Sequence, residues 1–567
     1  HFPNVHFMKK LILYCFIILP ALQGFTQNIP YPVVPDWEST PSGHVATGLG
    51  LADINGDGWK DIIVANGNDM QRQSLVVYYN RGDGSFGSVP DWQSQDIDYH
   101  GHLAVGDLNA DGWPDVAVSV YIGTAGFGSP GKLKIYFNNA GVLEDTPSFE
   151  SNDFYTFSCA MGDADGDGDL DIAVAAGESY NEIYDQGKIF YNNDGVFSQT
   201  PGWTTSVSFS TLDVDFGDVD GNGKLDVVFA NERGPNYLFL ADNSGEISNT
   251  ASWESSENPV FMNSLDIGKI GEQKTTGVVF SGNNQLGGDG KIKLYTFDDE
   301  VPPASEAVWS SQVAGYWSGI LLHDVDLDGL TDLIYGGWWL PLNIHLGNEE
   351  NFDDLPAYTS QTSSVVEAIQ IADLNQDGME ELAEIFQVDE QYNSLFYLSH
   401  PIESVVQVLV SDVGIGPEQY CYVPGKNWLS LSRELVSPDV SVLILYKYSR
   451  KGDIVVTNWD GTKGNYIFYN DTILTSIGSN IQEDFDFRIY PNPVTTGRVV
   501  VTFNELIHGT VHISLTDISG QLLNEETKII TKGQHTLYLD LHQIPKGVYL
   551  IRLANDHFIK TKKLIIQ

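Results

Sequence analysis

Short apolar stretches alternate with polar turns along most of the chain, and they recur in a fixed order of four. In one repeat the first stretch covers residues 103–105, the second covers 116–118, and the third, where apolar and polar positions alternate, covers 133–137. The fourth centres on an aromatic residue, which in successive repeats is Trp92, Phe149, Trp203, Trp253, Trp309 and Tyr358. Apolar runs of this length between turn residues predict β-strands, and four strands every ~50 residues are typical of a β-propeller blade.

The two ends of the repeat region complement each other. Residues 35–37 form a fourth strand without a repeat of its own, and the last repeat offers three strands without an obvious fourth. Pairing them would close the ring and remove its exposed edges. Residues 401–435, around Trp428, are expected to supply the fourth strand of the seventh repeat. The sequence therefore predicts an all-β fold, an eight-bladed β-propeller with seven blades as the alternative, followed by a small C-terminal β-sandwich.

A nine-residue motif, Asp-x-[Asp/Asn]-x-[Asp/Asn]-Gly-x-x-[Asp/Glu], follows the first strand of most repeats. Its six copies lie 49 to 56 residues apart, with a single gap of 106, and begin at Asp53, Asp107, Asp163, Asp218, Asp324 and Asp373. The long gap holds a degenerate copy at residues 268–280 that has lost every acidic position. A weaker eighth copy covers residues 453–469, and it retains the strand pattern but has lost the acidic loop.

Oxygen ligands at alternate positions of a tight turn suit Ca²⁺, which binds six to eight oxygens. In the first loop we expect the side chains of Asp53, Asn55, Asp57 and Asp61 and the carbonyl of Trp59 to bind the ion. The same positions of the other loops are Asp107, Asn109, Asp111, Asp115, Asp163, Asp165, Asp167, Asp171, Asp218, Asp220, Asn222, Asp226, Asp324, Asp326, Asp328, Asp332, Asp373, Asn375, Asp377 and Glu381. The pattern predicts about six structural Ca²⁺ ions.

Other interpretations of the acidic loops are weaker. Glu384 gives the last loop the spacing of an EF-hand, but the other five loops have an apolar or aromatic residue at that position, within β-rich sequence. Dockerin-like loops occur as close pairs with helices. The third alternative is a set of solvated acidic turns without metal.

Composition narrows the range of partners and compartments. The formal net charge of -47 argues against nucleic acid or an anionic membrane as a partner. Residues 8–27 have the pattern of a signal peptide, with Lys9 and Lys10 before an apolar run that is too short for a transmembrane span. After it only Cys159 and Cys421 remain, so no disulfide framework is expected. We predict a monomer without a transmembrane segment.

The repeats resemble FG-GAP (VCBS-type) repeats, which form the propeller of integrin α chains and of many secreted bacterial proteins. The resemblance covers residues 30–475. It implies that the calcium loops join the first and second strands on one face. It also implies that the loops between the second and third strands open on the opposite face, where such propellers bind ligands.

Residues 489–567, after a linker at 476–488, resemble the type A C-terminal sorting domain of type IX secretion in Bacteroidetes-type bacteria. The matching segments are residues 489–493, 514–517 with Gly520, 547–551 and 562–566. The resemblance implies export by the type IX machinery of a Gram-negative bacterium, removal of the tail, and either release or attachment to the cell surface.

Four tryptophans break the repeat and are candidates for ligand binding. Trp317 precedes the first strand of the sixth repeat, Trp338 and Trp339 follow its second strand, and Trp459 is equivalent to Trp338 in the last repeat. Exposed aromatic rings stack on the apolar faces of sugars. With Arg233 as a cation for acidic groups, they predict binding of an extracellular polysaccharide.

Two classes of function remain open from the sequence. The first is a surface module that binds carbohydrate without catalysis. The second is a polysaccharide lyase, for which His100, His102, Tyr155 and Arg233 are candidate catalytic residues, because β-elimination from a uronic acid requires a cation, a base and an acid. Whether the protein is an enzyme is not decided by these residues.

Overall fold

The structure is a computed structural model, and it describes residues 29–256, 261–285, 287–297, 304–388, 394–438, 440–470, 487–494, 498–503, 509–517, 522–530, 536–541, 544–554 and 559–566. The predicted signal peptide lies outside these residues. The described residues form strands and two 3₁₀ turns, Pro417–Gln419 and Arg433–Leu435, with no α-helix among them. The all-β prediction is confirmed.

Antiparallel four-stranded sheets follow one another along the chain, as the sequence predicts. Strand β1 spans Trp37–Glu38, and blades 1 to 3 use β2 (Ala46–Ala52), β3 (Asp61–Asn66), β4 (Val76–Tyr78), β5 (Trp92–Gln93), β6 (Tyr99–Gly106), β7 (Asp115–Gly123), β8 (Gly126–Tyr136), β9 (Phe149–Glu150), β10 (Thr156–Gly162), β11 (Asp171–Ala176), β12 (Asp185–Phe190) and the start of β13 (Trp203–Gly217). Blades 4 to 6 continue with the rest of β13, β14 (Asp226–Arg233), β15 (Tyr237–Phe239), β16 (Trp253–Glu254), β17 (Met262–Ile270), β18 (Thr275–Gly282), β19 (Lys293–Phe297), β20 (Trp309–Ser310), β21 (Trp317–His323), β22 (Asp332–Leu340), β23 (Asn343–His345) and β24 (Tyr358–Thr359).

Blade 7 combines distant parts of the chain. Its first strand is β25 (Ser364–Ala372), and its second and third strands come 80 or more residues later, as numbered below. The fourth strand is β1, where Trp37 pairs with Ile467. The predicted closure of the ring by the N-terminal strand is therefore confirmed.

A domain is inserted between the first and second strands of blade 7. It contains β26 (Met379–Gln387), β27 (Leu395–Tyr397), β28 (Ser404–Val410), β29 (Val413–Ile415), β30 (Tyr420–Tyr422), β31 (Trp428–Leu431) and β32 (Ser441–Ser449), arranged in the two sheets β26-β32-β28-β29 and β27-β31-β30. The chain then returns to blade 7 with β33 (Asp453–Asn458) and β34 (Tyr466–Phe468), and β33 pairs with β25. We call residues 379–449 the insertion.

The described strands form seven blades rather than the preferred eight. The copies at Asp373 and Asp453 are two halves of one sheet, because the insertion separates the first strand from the second. Trp428 lies in β31 of the insertion and does not supply a fourth blade strand. The first strands of the seven blades contact each other in order, and β25 contacts β2, so the ring is closed.

Apolar side chains hold neighbouring blades together. Ile63 and Val77 of blade 1 share a core cluster with Leu103 and Val116 of blade 2, and all four are at most 7% exposed. Strands buried on both faces favour β-branched residues, which explains the apolar runs in the second strands. Cys159 and Cys421 are buried free thiols, in agreement with the absence of a disulfide framework.

The C-terminal residues form two further sheets. Their strands are β35 (Phe487–Tyr490), β36 (Arg498–Phe503), β37 (Gly509–Asp517), β38 (Leu522–Ile530), β39 (Thr536–Asp540), β40 (Gly547–Ala554) and β41 (Ile559–Ile566). The orders are β35-β36-β39 and β38-β37-β40-β41, and both sheets share one apolar cluster. Tyr490 packs against Ala383, Leu443 and Leu445 of the insertion.

Candidate metal loops and ligand pocket

Each acidic loop is organised by the carboxylate of its first aspartate. In the first loop the Asp53 Oδ2 atom accepts a hydrogen bond from the Gly58 backbone N–H at 2.8 Å. The corresponding bond is 2.7–3.1 Å long in the other five loops. Gly58 has φ 89°, a left-handed conformation that favours glycine and lets the chain turn around the carboxylates.

The ninth position ties the loop to its blade. Asp61 Oδ2 accepts a bond from Ile54 N at 3.1 Å, and its Oδ1 accepts one from Asn80 N, beyond the third strand, at 2.9 Å. The equivalent acids Asp115, Asp171, Asp226 and Asp332 make the same pair of bonds. These carboxylates fix the loop geometry in addition to any ion they contact.

Buried carboxylates converge in these loops. In three of them the acids at positions one, three and nine lie within 4.8 Å of one another, namely Asp163 with Asp165 and Asp171, Asp218 with Asp220 and Asp226, and Asp324 with Asp326 and Asp332. Burial raises the pKa of Asp115 and Asp332 to about 8, and neighbouring carboxylates add to the effect. One buried oxygen each of Asp163, Asp218 and Asp326 has no hydrogen-bond partner in the described structure. A divalent cation fits this donor set.

The loop of blade 7 differs from the prediction at its ninth position. Glu381 lies in β26 of the insertion, where its Oε1 accepts a hydrogen bond from the Thr536 hydroxyl. The ninth acid is Asp453, whose two oxygens accept bonds from Leu374 N at 2.9 Å and Asn470 N at 2.8 Å. The insertion separates the ninth-position acid from the rest of the loop in sequence, but the acid occupies the same place in the blade as its equivalents.

Other charges also distinguish the blade 7 loop. The Lys451 ammonium lies 2.9 Å from Asp377 Oδ2 and already balances part of the acidic charge. Glu384 lies outside the loop and binds Tyr446 and Ser399, so the structure gives no support to an EF-hand.

A fourth cluster of possible metal ligands, outside the loops, forms ion pairs with a lysine. Asp96, Asp98 and His100 bring ligand atoms close together, but the Lys134 ammonium lies 2.8 Å from Asp96 and 2.6 Å from Asp98. This ammonium occupies the position that a cation would take.

Two cavities lie along the axis of the ring. The larger, about 950 Å³, is surrounded by the first strands and is bordered by the insertion on the side of the metal loops. The smaller, about 210 Å³, is lined by the starts of first strands and the ends of second strands. It therefore opens on the face opposite the metal loops, and we call it the axial pocket. His102 and Glu367 line both cavities.

The axial pocket combines aromatic rings with carboxylates. The rings are Tyr121, Phe157, Tyr180, Tyr316, Trp338 and Trp459, and the carboxylates are Asp69, Glu232 and Glu367. Burial raises the pKa of Glu232 to about 8 and that of Glu367 to about 7. The described lining contains no lysine or arginine.

Trp338 is held inside the wall of the pocket. Its ring is stacked between Tyr316, with centroids 4.4 Å apart, and Trp459, at 4.8 Å. Its indole N–H donates to Glu367 Oε2 at 2.9 Å. Since both faces are covered, Trp338 cannot stack on a sugar as the sequence suggested.

The other candidate tryptophans differ in exposure. Trp317 is 2% exposed and belongs to the core, which makes it unsuitable for ligand contact. Trp459 is part of the pocket wall. Trp339 is 63% exposed, has φ 56° and lies edge-on to Trp338 at 5.6 Å. A bulky residue in this backbone conformation is uncommon, so the exposed position of Trp339 carries a cost in backbone strain.

The candidate catalytic residues are not brought together. His100 is fully buried, with Nδ1 2.9 Å from the Asn66 carbonyl oxygen. The Tyr155 hydroxyl donates to the Phe127 carbonyl, and Arg233 Nη1 lies 3.2 Å from Glu182 Oε1. Of the four candidates, only His102 lines the axial pocket, and its Nδ1 lies 3.8 Å from Asp213 Oδ1.

Sequence reasoning missed Glu367, Asp69 and Tyr121, which line the axial pocket. The signal for Glu367 was present, because it is a single charge inside the otherwise apolar start of β25. Nothing in the sequence placed that strand beside Trp338, since the two residues meet through the pairing of β22 with β25.

Comparisons with known proteins identify two segments. Residues 53–118 match the FG-GAP-like repeat family, and residues 488–567 match the secretion system C-terminal sorting domain. The sorting domain indicates type IX secretion to the cell surface or the extracellular space. Among the described residues, no helix has the length and apolar character needed to cross a membrane.

Similar proteins match short parts of the chain. Human integrin alpha-7 is 38% identical over 109 residues, or 18% of this chain and 9% of the relative. Mouse integrin alpha-3 is 31% identical over 118 residues, or 18% of this chain and 10% of the relative. The solved structure of the Dos1 propeller covers 68% of this chain and 75% of its own, with 9% identity and a TM-score of 0.33. The chain thus matches about a tenth of each integrin.

Proposed function

We propose that this protein is a secreted, calcium-stabilised β-propeller that binds extracellular carbohydrate at the axial pocket. The observation that carries the proposal is Trp339, which is 63% exposed in a left-handed conformation beside an aromatic pocket on the ring axis. An exposed ring of this kind offers an apolar face to a sugar, and the adjacent carboxylates and amides offer hydrogen bonds.

The geometry favours binding over the lyase alternative. A lyase that acts on uronic acids needs a cation at the substrate carboxylate, but Arg233 is paired with Glu182 and does not line the pocket. The described lining offers three acidic groups and no lysine or arginine to such a carboxylate. Carbohydrate binding without β-elimination is the better supported function.

The carbohydrate proposal is tested with an array of neutral, amino and acidic oligosaccharides, followed by calorimetry with the tightest ligand. Trp339→Ala is expected to weaken binding by about 1–3 kcal/mol, the value of burying a large apolar side chain. Tyr538→Ala removes an aromatic ring that is 53% exposed in the C-terminal domain and serves as the control. Equal affinities for both variants and the parent protein would place the site elsewhere.

We also infer that the bound cation is calcium, with one ion in each of the six loops. The oxygen-only donor set at alternate positions supports this assignment. The loop of blade 7 is expected to bind most weakly, because Lys451 balances part of its charge. Each ion adds about 2.7 kcal/mol of stability when free calcium is 100 times Kd.

Metal analysis of calcium-equilibrated protein measures the number of calcium ions per chain, which we expect to be six. Removal of calcium with a chelator should lower the melting temperature of the protein. Asp107→Ala should remove one ion and leave the others, while Glu306→Ala, at an exposed position of blade 5, should change neither quantity. Two or fewer ions per chain would refute the assignment.

A further inference from the structure

The axial pocket is lined by acidic side chains. Asp69, Glu232 and Glu367 line it, and Glu178 lies close enough to act on Asp69 and Glu232. His102 is the only basic side chain in the described lining. In its ionised form such a set attracts a positive group and disfavours a negative one, and a bound cation would favour that ionised form.

Glu367 contributes a buried carboxylate to the pocket. It is 5% exposed, lines the pocket, and accepts the Trp338 indole N–H on Oε2. Burial raises its pKa, Asp69 raises it further, and His102 opposes the rise. Burying an ionised carboxylate is costly unless it is paired, so a cation in the pocket would stabilise it.

Glu232 gives the pocket a second buried acid. It is 1% exposed and accepts a hydrogen bond from the Ser179 hydroxyl. Burial and Glu178 raise its pKa, while the neighbouring Arg233 lowers it. Burial raises the pKa of Tyr180 and Tyr316, and the charges of Glu232 and Glu367 both add to the rise, so the two acids lie near the same tyrosines.

The aromatic rings suit the same kind of group. Tyr121, Tyr180, Tyr316 and Trp459 surround the space beside these acids. Electron-rich ring faces attract cations by about 0.5–2 kcal/mol each, most strongly where water is excluded. At about 210 Å³ the pocket is smaller than the roughly 300–1,000 Å³ of typical drug-sized sites, so it accepts a single small group.

We propose that the axial pocket selects an amino sugar, with the protonated amine between Glu367 and Glu232 and the sugar ring against Trp339. This inference rests on the proposed carbohydrate binding and adds the ligand class. It replaces the acidic polysaccharide that Arg233 suggested from sequence.

Calorimetry with the calcium-loaded full chain at pH 7 and about 0.15 M salt tests the proposal. The probes are a glucosamine disaccharide with free amines, its N-acetylated form, a galacturonate disaccharide and butylammonium. The free-amine disaccharide is expected to bind at least about tenfold more tightly than the N-acetylated form, and galacturonate is expected not to bind.

Variants distinguish attraction of the amine by the pocket carboxylates from attraction by the net charge of -47 of the whole protein. Glu367→Gln and Glu232→Gln should each reduce the preference for the amine about tenfold, and Glu306→Gln should preserve it. Trp339→Ala should weaken both sugars and keep their ratio. A preference that survives in both pocket variants, with their melting temperatures intact, would overturn the proposal.

The remaining outcomes distinguish this inference from the proposed function. Equal or tighter binding of the N-acetylated sugar would overturn the proposed selection of a free amine, but it would still agree with carbohydrate binding. If butylammonium binds as tightly as the disaccharide, the sugar ring contributes nothing to binding. That result would overturn the amino-sugar proposal and indicate recognition of an amine such as a lysine side chain. Failure of every sugar on the array to bind overturns both proposals.

Discussion

At the scale of single residues, buried carboxylates differ in what surrounds them. Asp61 and its equivalents accept a backbone N–H on each oxygen, which joins the loop to the third strand of the blade. Glu367 accepts one bond from Trp338 and also lines the axial pocket. The first arrangement stabilises the fold, and the second places a carboxylate at the proposed ligand site.

Glu367→Gln should stabilise the ligand-free protein at pH 8. The folded state raises the pKa of this carboxyl from 4.5 to about 7, so the folded protein holds a proton that the unfolded chain has released. The stability of the parent protein therefore falls as pH rises between those values and levels off above them. The gain from the substitution should grow over the same window to at most about 3 kcal/mol. Denaturant unfolding from pH 4.5 to 8 measures it, and a pH-independent difference would be contrary evidence.

Asp453→Asn should destabilise blade 7, whereas Glu381→Gln should not. Asp453 is fully buried and accepts bonds from two backbone N–H groups, of which asparagine can satisfy only one. We expect a loss of about 1–3 kcal/mol. Glu381 is in contact with the C-terminal domain and should change stability by less than about 0.5 kcal/mol. Thermal unfolding of the two variants compares them, and a larger effect at Glu381 would favour the sequence-based assignment of the ninth position.

At the scale of elements, the insertion behaves as a cover for the metal-loop side of the ring. The Lys426 ammonium reaches Asp215 at 2.5 Å and Asp266 at 3.6 Å in the first strands of blades 4 and 5. Ser430 donates to Asp163, and the Asp218 backbone N–H donates to the Tyr397 hydroxyl. The loops of blades 3 and 4 are therefore shielded by this domain.

Replacing residues 379–449 with two glycines should leave the propeller folded. The ends of the insertion are adjacent, because the Arg450 N–H donates to the Gly378 carbonyl at 3.0 Å. Calcium should leave the loops of blades 3 and 4 faster, since their cover is lost. Chelator-induced calcium release should gain a fast phase equivalent to about two ions. Ser430→Ala, as a milder variant, should accelerate release from one loop alone. Unchanged release kinetics would show that the cover does not restrict the ions.

At the scale of the whole molecule, the tail and the propeller are separate structural units. The tail has its own apolar cluster, and its described contacts to the remainder are with the insertion, through Tyr490 and Thr536. No blade core includes a tail residue among the described clusters.

Removing residues 489–567 should leave a folded propeller that is no longer exported across the outer membrane. The physical reason is that the seven blades keep their cores, while the sorting domain that directs secretion is lost. Cell fractionation with a calcium-content assay would check both parts. The full-length chain is the control, and surface display of the truncated chain would contradict the role given to the tail.

Local sequence determined the repeated elements. Strands and turns are encoded by the apolar runs, the fourth-strand aromatics and the glycines of the acidic loops. Each depends on contacts within one blade, so the sequence alone was sufficient to predict them. The sequence also predicted the pairing of the N-terminal strand with the last blade, because this pairing removes the exposed strand edges at both ends of the ring.

Tertiary structure alone decided which distant residues share a site. The insertion separates Asp373 from its ninth-position partner Asp453, and only the pairing of β25 with β33 reunites them. The same closure of the ring brings Glu367 to Trp338 and buries both faces of that ring. A sequence pattern records strand periodicity, which is local, but burial and charge in the axial pocket depend on seven blades meeting at one axis.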